Sequence, residues 1–348
     1  LKIAVIVPNL PPAPCGVYDY ARKLAEHWPA RADWTLISPG EGSAWPGAQV
    51  RKVERDGASL AQQLRDLAPE CVGLQFTCFG YAENGVPEWL ADGLEAFKHQ
   101  SKARLAIMFH EFAYDGAPWR RAHWRKPRQT ALAARLCSVA DGALTGVPQW
   151  QHEMQQVSGR EVARAVLPSN IDPVEFASHQ GPLSLGVFGL PHSRERALHA
   201  HHKLLQAIGP CTLRLIGFGL GEGLAAGEKK LLKGLKCVVE ACAKSAPAEV
   251  SRAMASCHAM LAPCSSEEIW KSGSSMAALA HGCTLVATGT EKLGGPPLLA
   301  YEGAGSMKNV LEQLRTSAAR ECGAAGRNWY EMNSGWPRSV AAWVKAFA

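Results

Sequence analysis

LKIAVIVPNLPPAPCGVYDYARKLA (residues 1–25) joins a short apolar run to a proline-rich turn and then to a helical pattern. Ile3–Val7 is rich in branched aliphatic residues and stops at Pro8, as a buried strand does. Beyond the turn, Val17, Ala21, Leu24 and Trp28 fall on one face of a helix over 17–28. The opening is therefore a strand followed by a helix, with Gly16 at the junction.

The same unit recurs along the chain. Thr35–Ser38, Val72–Phe76, Leu105–Phe109 and Ala143–Thr145 are further brief apolar runs bounded by Pro, Gly or polar residues. A second series follows SNIDPVEFASHQGP (169–182), with strands expected at Leu183–Phe188, Leu213–Ile216, Cys237–Val239, Ala259–Leu261 and Thr284–Ala287. Strands that alternate with helices build parallel sheets covered on both faces. The expected class is α/β, with two doubly wound parallel-sheet (Rossmann-like) domains facing across a cleft. Ligands of such sheets bind beyond the carboxyl ends of the strands, so the cleft is the expected site. Pro173, Gly181 and Pro182 place the join near 173–182, giving domains over 1–177 and 178–325. Residues 326–348 form a C-terminal segment whose GWPRSVAAWVKAFA ending reads as an amphipathic helix that packs back on the first domain.

Composition narrows the classes of function. At 348 residues the chain exceeds one average domain, and 47% hydrophobic with 20% charged residues is the balance of a soluble globular protein. No apolar run reaches the length of a membrane span, and LKIAVIVPNL lacks the basic region and cleavage pattern of a secretion signal. Eleven cysteines, an odd number without a C-x-x-C pair, indicate free or buried thiols in a reducing cytoplasm. A metal site is not expected, because His201–His202 and Cys237–Cys242 have no second ligand pair at a zinc-like spacing. The net charge of +6 lies in the second half of the chain. Two local basic runs, Arg120–Arg128 and Lys229–Lys236, read as solvated helix faces; the first also offers a patch that nucleic-acid phosphates would fit.

SSEEIWKSGSSMAALAHG (265–282) concentrates charge, glycine and hydroxyls before an alanine-rich helix that starts near Gly273–Ser275 and ends at Gly282. Free amides at a helix start, a glycine that admits close approach, serine hydroxyls and Lys271 together would make an anion cradle. A Ser-capped helix after a Cys264–Ser272 loop explains the same residues. GFGLGEG (217–223) reads as a loop, and Gly16 lacks the G-x-G-x-x-G spacing of a dinucleotide site. His110 and Glu111 end the strand of MFHEF, at the carboxyl edge where site residues collect. The chain has no G-x-S-x-G, P-loop or H-E-x-x-H motif, which removes those hydrolase and nucleotidase classes.

In their order along the chain these stretches resemble glycosyltransferase family four, the retaining nucleotide-sugar enzymes of the GT-B fold. PPAPCGVYDYARKLA is similar to the family's first loop and helix, and LQFTCFGYAENGVPEWL, FHEF and PWRRAHWRKPRQTALAARLCSVADGALT follow in family order. LPSNIDP resembles the segment leading into the second domain, and SSEEIWKSGSSMAALAHGCTLVAT the donor-site signature. Many members carry a second donor-loop glutamate where this chain has Ala277; Lys271-Ser272-Gly273-Ser274 resembles a subgroup with a basic residue before Gly-Ser.

The resemblance implies a metal-independent hexosyl or related transferase with no permanently bound cofactor and a nucleoside diphosphate sugar as donor. His110, Glu267 and Lys271 are the implied catalytic residues. Gly16, Arg194, Arg196, Glu268, Ser272, Gly273, Ser274 and Ser275 would bind the donor, with Glu267 or Glu268 in the first-glutamate role. Tyr18, Glu111 and Tyr81 would lie on the acceptor side, the acceptor being a hydroxyl of a carbohydrate or small molecule. The alternatives are transfer to a modified nucleic-acid base, a catalytically silent nucleotide-sugar or nucleic-acid binding module, and a GT-B epimerase or phosphorylase.

Overall fold

The computed structural model describes residues 1–114, 119, 123–174, 182–243, 246–291 and 294–348. The chain forms two compact units, Leu1–Val166 with Trp336–Ala348, and Leu167–Gly335.

The first unit alternates strand and helix: β1 (Lys2–Ile6), α1 (Gly16–Glu26), β2 (Asp33–Ser38), β3 (Gln49–Lys52), α2 (Gly57–Leu67), β4 (Cys71–Phe76), α3 (Cys78–Tyr81), α4 (Glu88–Lys98), β5 (Arg104–Phe109), α5 (Lys126–Val139), β6 (Gly142–Thr145), α6 (Pro148–Ser158) and β7 (Ala163–Arg164). All its strands are parallel, in the order β3-β2-β1-β4-β5-β6-β7. Every residue of β4 is buried, as helices on both faces of a central strand require. β3 and β7 escape sequence reading because QVRK is largely exposed and β7 is two residues long, so neither leaves an apolar run.

The second unit contains β8 (Ser184–Phe188), α7 (Pro191–Ala200), α8 (His202–Ala207), β9 (Thr212–Ile216), α9 (Ala226–Leu232), β10 (Val238–Cys242), α10 (Pro247–Ala255), β11 (Ala259–Ser265), α11 (Gly273–Ala280), β12 (Thr284–Thr288), β13 (Leu299–Tyr301), α12 (Gly303–Gln313) and α13 (Ser317–Asn333). Its strands are again all parallel, in the order β10-β9-β8-β11-β12-β13. The order reverses between β8 and β11, and in the first unit between β1 and β4. Loops leaving the carboxyl ends of such strand pairs diverge to opposite faces and open a crevice.

The unit boundaries lie at 166/167 and 335/336, where sequence reading placed 177/178 and 325/326. Hydrogen bonds decide the first of these. The Ser169 amide donates to Tyr330 Oη at 2.8 Å, Ser334 Oγ donates to the Leu167 carbonyl at 2.8 Å, and the Val174 amide donates to Ser251 Oγ at 3.0 Å. The second follows because α13 runs unbroken past residue 325 and the chain turns only at Gly335, at φ +85°. The last helix, α14 (Trp336–Ala346), belongs to the first unit. Its Trp343 is 1% exposed, and Nε1 donates to Tyr20 Oη at 2.9 Å. Gly142 gives this helix its seat, since a Cβ there would lie 2.5 Å from the Ala346 carbonyl oxygen. Among the described residues, no helix is long and apolar enough to cross a membrane.

Candidate functional site

In the second unit three strand exits converge. After β8 the chain turns at Gly189 (φ +140°) into α7, and after β9 it turns at Gly217 (φ +127°). A Cβ on Gly217 would sit 2.4 Å from the Gly189 carbonyl oxygen, so the two turns can meet only as glycines. After β11 the expected loop is instead a 3₁₀ turn, Ser266–Lys271, because Ile269 and Trp270 are buried and Ser266 Oγ donates to the Thr290 carbonyl at 2.6 Å. That turn delivers the chain to α11, whose Gly273 is exposed.

Ser272 caps α11, accepting from the Ser275 amide at 3.2 Å and from Ser275 Oγ at 2.8 Å. Ser275 is 1% exposed and serves the cap, so its hydroxyl does not face outward as expected for a donor contact. The Gly273 and Ser274 amides precede the first intrahelical acceptor and carry the positive end of the helix dipole. Ser274 Oγ would lie 3.2 Å from a Cβ at Gly189, which sets the start of α11 beside the β8–α7 turn.

A cavity of about 630 Å³ adjoins these turns, lined by His192, Arg196 and His199 of α7 and by Ser265, Glu268 and Thr288. It brings together Arg196 and Glu268 of the expected donor residues. Glu268 also pairs with Lys271, whereas Glu267 is exposed and does not line the cavity. His192 and His199 were missed by sequence reading; their signal was the i, i+4, i+7 spacing with Arg196, which puts all three on one helical face.

Arg194 is placed differently from the expectation. Its side chain is 1% exposed, Nε donates to Glu228 Oε1 at 2.6 Å, and one Nη donates to the carbonyls of Gly189 (2.6 Å) and Phe218 (2.9 Å). The guanidinium shapes both glycine turns from beneath and is occupied in doing so.

In the first unit Gly16 opens α1 and is exposed, with nothing within 4 Å of a Cβ built on it. His110 follows β5, its amide donating to the Phe76 carbonyl at 3.0 Å. Its Nε2–H donates to Gln75 Oε1 at 2.7 Å, and its ring meets Tyr20 edge-on at 4.9 Å between centroids. Burial pushes this imidazole down to about 3, so it is neutral and serves as a hydrogen-bonding group rather than an acid. Gln75 is a second residue that sequence reading missed, although a fully buried amide within CVGLQF was its signal. Glu111 follows His110 and is half-buried.

Two expected acceptor-side tyrosines are interior. Tyr81 is 0% exposed, and its hydroxyl donates to the carbonyls of Ile6 and Gln75, both at 3.0 Å, joining β1 to β4. Tyr18 is 6% exposed and packs against Trp45. Of the basic run, Arg120 and Arg121 lie outside the described residues; Arg125 donates to the Asn84 carbonyl at 3.1 Å and Arg128 pairs with Glu88 at 2.9 Å.

No protein-family model matches the chain, and no curated protein matches it in sequence. Solved structures do match. The apo form of the lipopolysaccharide outer core galactosyltransferase WaaB aligns over 99% of this chain and 99% of its own, with a TM-score of 0.61 and 12% identity. WaaG, a glycosyltransferase involved in lipopolysaccharide biosynthesis, aligns over 98% of this chain and 99% of its own, at 0.60 and 13%. The fold is GT-B. A UDP-GlcNAc 2-epimerase from Neisseria meningitidis, bound to UDP-GlcNAc, aligns over 99% of both chains at 0.52 and 10%. Within the GT-B fold, the cavity and the start of α11 belong to the second Rossmann-like unit, and Gly16 and His110 to the first.

Proposed function

We propose that this chain is a retaining glycosyltransferase that moves a sugar from a nucleoside diphosphate sugar to a hydroxyl of a carbohydrate or small molecule, without a metal ion. One observation carries the reading: the uncapped amides of Gly273 and Ser274 stand beside the β8–α7 turn at the point where the second sheet reverses its order, next to a cavity lined by Arg196. Helix amides and a guanidinium at such a crevice suit a diphosphate.

The bond from the anomeric carbon to phosphate breaks with its electron pair going to the phosphate oxygen. Arg196, Lys271 and the two amides stabilise that developing negative charge. The acceptor hydroxyl bonds to the anomeric carbon on the face the phosphate leaves, and its proton passes to a phosphate oxygen. Glu268 tempers Lys271 and holds sugar hydroxyls, neutral His110, whose Nε2–H is given to Gln75, accepts a hydrogen bond from a hydroxyl of the donor sugar at Nδ1, and Gly16 admits the donor to the first loop. Thermal melts with UDP, GDP, ADP, CDP and dTDP and their sugars test the reading, since a ligand of the folded state raises its apparent stability. A selective rise that is lost in Lys271→Ala and Arg196→Ala is expected; no rise with any nucleotide at millimolar concentration refutes it.

A catalytically silent binding module is favoured by one feature. Ala277, 1% exposed, presents only a methyl group where many relatives of the resembled family have the second glutamate. Slow hydrolysis of the donor in the absence of acceptor distinguishes an enzyme from such a module.

A further inference from the structure

Cys211 immediately precedes β9, and Cys237 immediately precedes β10. These are neighbouring parallel strands with Val238 opposite Thr212, so the register sets the two cysteines side by side one residue before the ladder begins. The Val238 amide donates to the Cys211 carbonyl at 2.8 Å, which holds the pair in place. Their sulfurs are 3.2 Å apart, with the Cys211 thiol donating to Cys237. Adjacent strands lie about 4.8 Å apart, within the Cα separations of about 4.4–6.8 Å that a disulfide spans. Only a small turn of the side chains separates the thiol contact from a bond.

We propose that Cys237 and Cys211 form a peroxide-responsive dithiol, a site of oxidative modification at the amino-terminal edge of the second sheet. Cys237 is half-buried and Cys211 is buried, so Cys237 meets the oxidant first. Its thiolate attacks the O–O bond of hydrogen peroxide and becomes a sulfenic acid as hydroxide leaves and is protonated. Burial raises the Cys211 thiol above its usual range, which makes it the less reactive of the two toward peroxide; its 3.2 Å contact with Cys237 is what places it for the resolving step. Its sulfur then bonds to Cys237 while the sulfenic oxygen departs as water, carrying the Cys211 proton. Two thiols lose two electrons in total, and one peroxide becomes two waters.

The bond would close a segment that the site depends on. Residues 211–237 contain β9, the Gly217 turn and α9, and supply both Phe218 and Glu228 to Arg194. β10 needs such a restraint, because four of its five residues are exposed and it is held chiefly by its ladder to β9. The strands' carboxyl ends, where Arg196 and α11 lie, are at the opposite edge from the dithiol.

The test uses the full chain, treated with hydrogen peroxide, alkylated and weighed intact. Wild type is expected to lose two hydrogens and two alkylatable thiols, reversibly with dithiothreitol. Cys242→Ser should behave in the same way. Cys237→Ser, or Cys237→Ala if serine disturbs the strand, should lose neither, and Cys211→Ser should trap a sulfenic acid that a dimedone probe labels. Loss of two hydrogens that persists in both Cys237 variants overturns the assignment in favour of another pair, such as Cys242 with Cys257. Addition of oxygen without any disulfide in wild type, or no change at all, also overturns it.

Discussion

Arg194 and Glu228 form an ion pair at 2.6 Å with side chains 1% and 0% exposed. Every strong bond they make is to a neighbouring turn: the arginine holds the Gly189 and Phe218 carbonyls, and Glu228 Oε2 accepts from the Ala225 amide at 2.8 Å. Two residues further along α7, Arg196 is exposed at the cavity. Two positions on one helix, pointing to nearly opposite faces, thus separate an arginine that builds the site from one that faces it.

Arg194→Ala should lower unfolding stability by about 3–5 kcal/mol, because it strands a buried carboxylate. Arg196→Ala should change stability by less than about 0.5 kcal/mol yet reduce the nucleotide-dependent rise in Tm. Urea unfolding of both variants, followed by melts with nucleotide, separates the two roles. Equal losses of stability would contradict the assignment.

Ser272→Ala removes the α11 cap and leaves the Ser275 amide and hydroxyl without their acceptor. The expected loss is about 1 kcal/mol, accompanied by weaker nucleotide stabilisation as the first turn frays. Ser272→Asp, which restores an acceptor but adds charge, should recover the stability and not the nucleotide response.

Gly142→Val should loosen α14, since a Cβ already falls 2.5 Å from the Ala346 carbonyl oxygen and 2.7 Å from the Ala346 Cα. Overpacking against backbone costs about 1–3 kcal/mol. Amide exchange is the informative readout, with faster exchange expected across Trp336–Ala346 and unchanged rates in β8–β11.

Acid should destabilise the fold through two histidines. His201 is 0% exposed, with Nε2–H donating to the Ala262 carbonyl at 3.0 Å and Nδ1 accepting from Tyr301 Oη at 2.9 Å; burial pushes it down to about 4, as it pushes His110 to about 3. Unfolded, both titrate near about 6.5. Below that pH the unfolded chain binds protons that the folded chain excludes, so stability falls as pH drops, by up to about 1.4 kcal/mol per pH unit for each histidine. The loss from each histidine levels off only below its folded value. Urea midpoints between neutral and mildly acidic pH should show this slope, and His110→Gln should flatten it.

How much was legible from residue order depended on how far apart the deciding partners lie. Apolar runs such as Ile3–Val7 and Val72–Phe76 announce buried parallel strands because a strand covered on both faces must be apolar along its whole length. The helix starts at Gly16 and Gly273 were equally readable, since caps and glycines act within a few residues. β3, β7 and β13 were not, because short edge strands are defined by a neighbour's free ladder and need no apolar run of their own.

The sequence by itself determined the α/β class, the two Rossmann-like units and the loops that carry the candidate donor residues, all of which follow from local periodicity and turn chemistry. Tertiary structure alone decided which polar side chains face out. Arg194 and Arg196 differ by two positions on one helix, yet Glu228, 34 residues away, buries the first and leaves the second at the cavity. Tyr81 was spent on the Ile6 carbonyl, 75 residues away, in the same manner. A polar side chain in a site loop is free for a ligand only when no distant buried group requires it, and that requirement exists only once the chain has closed on itself.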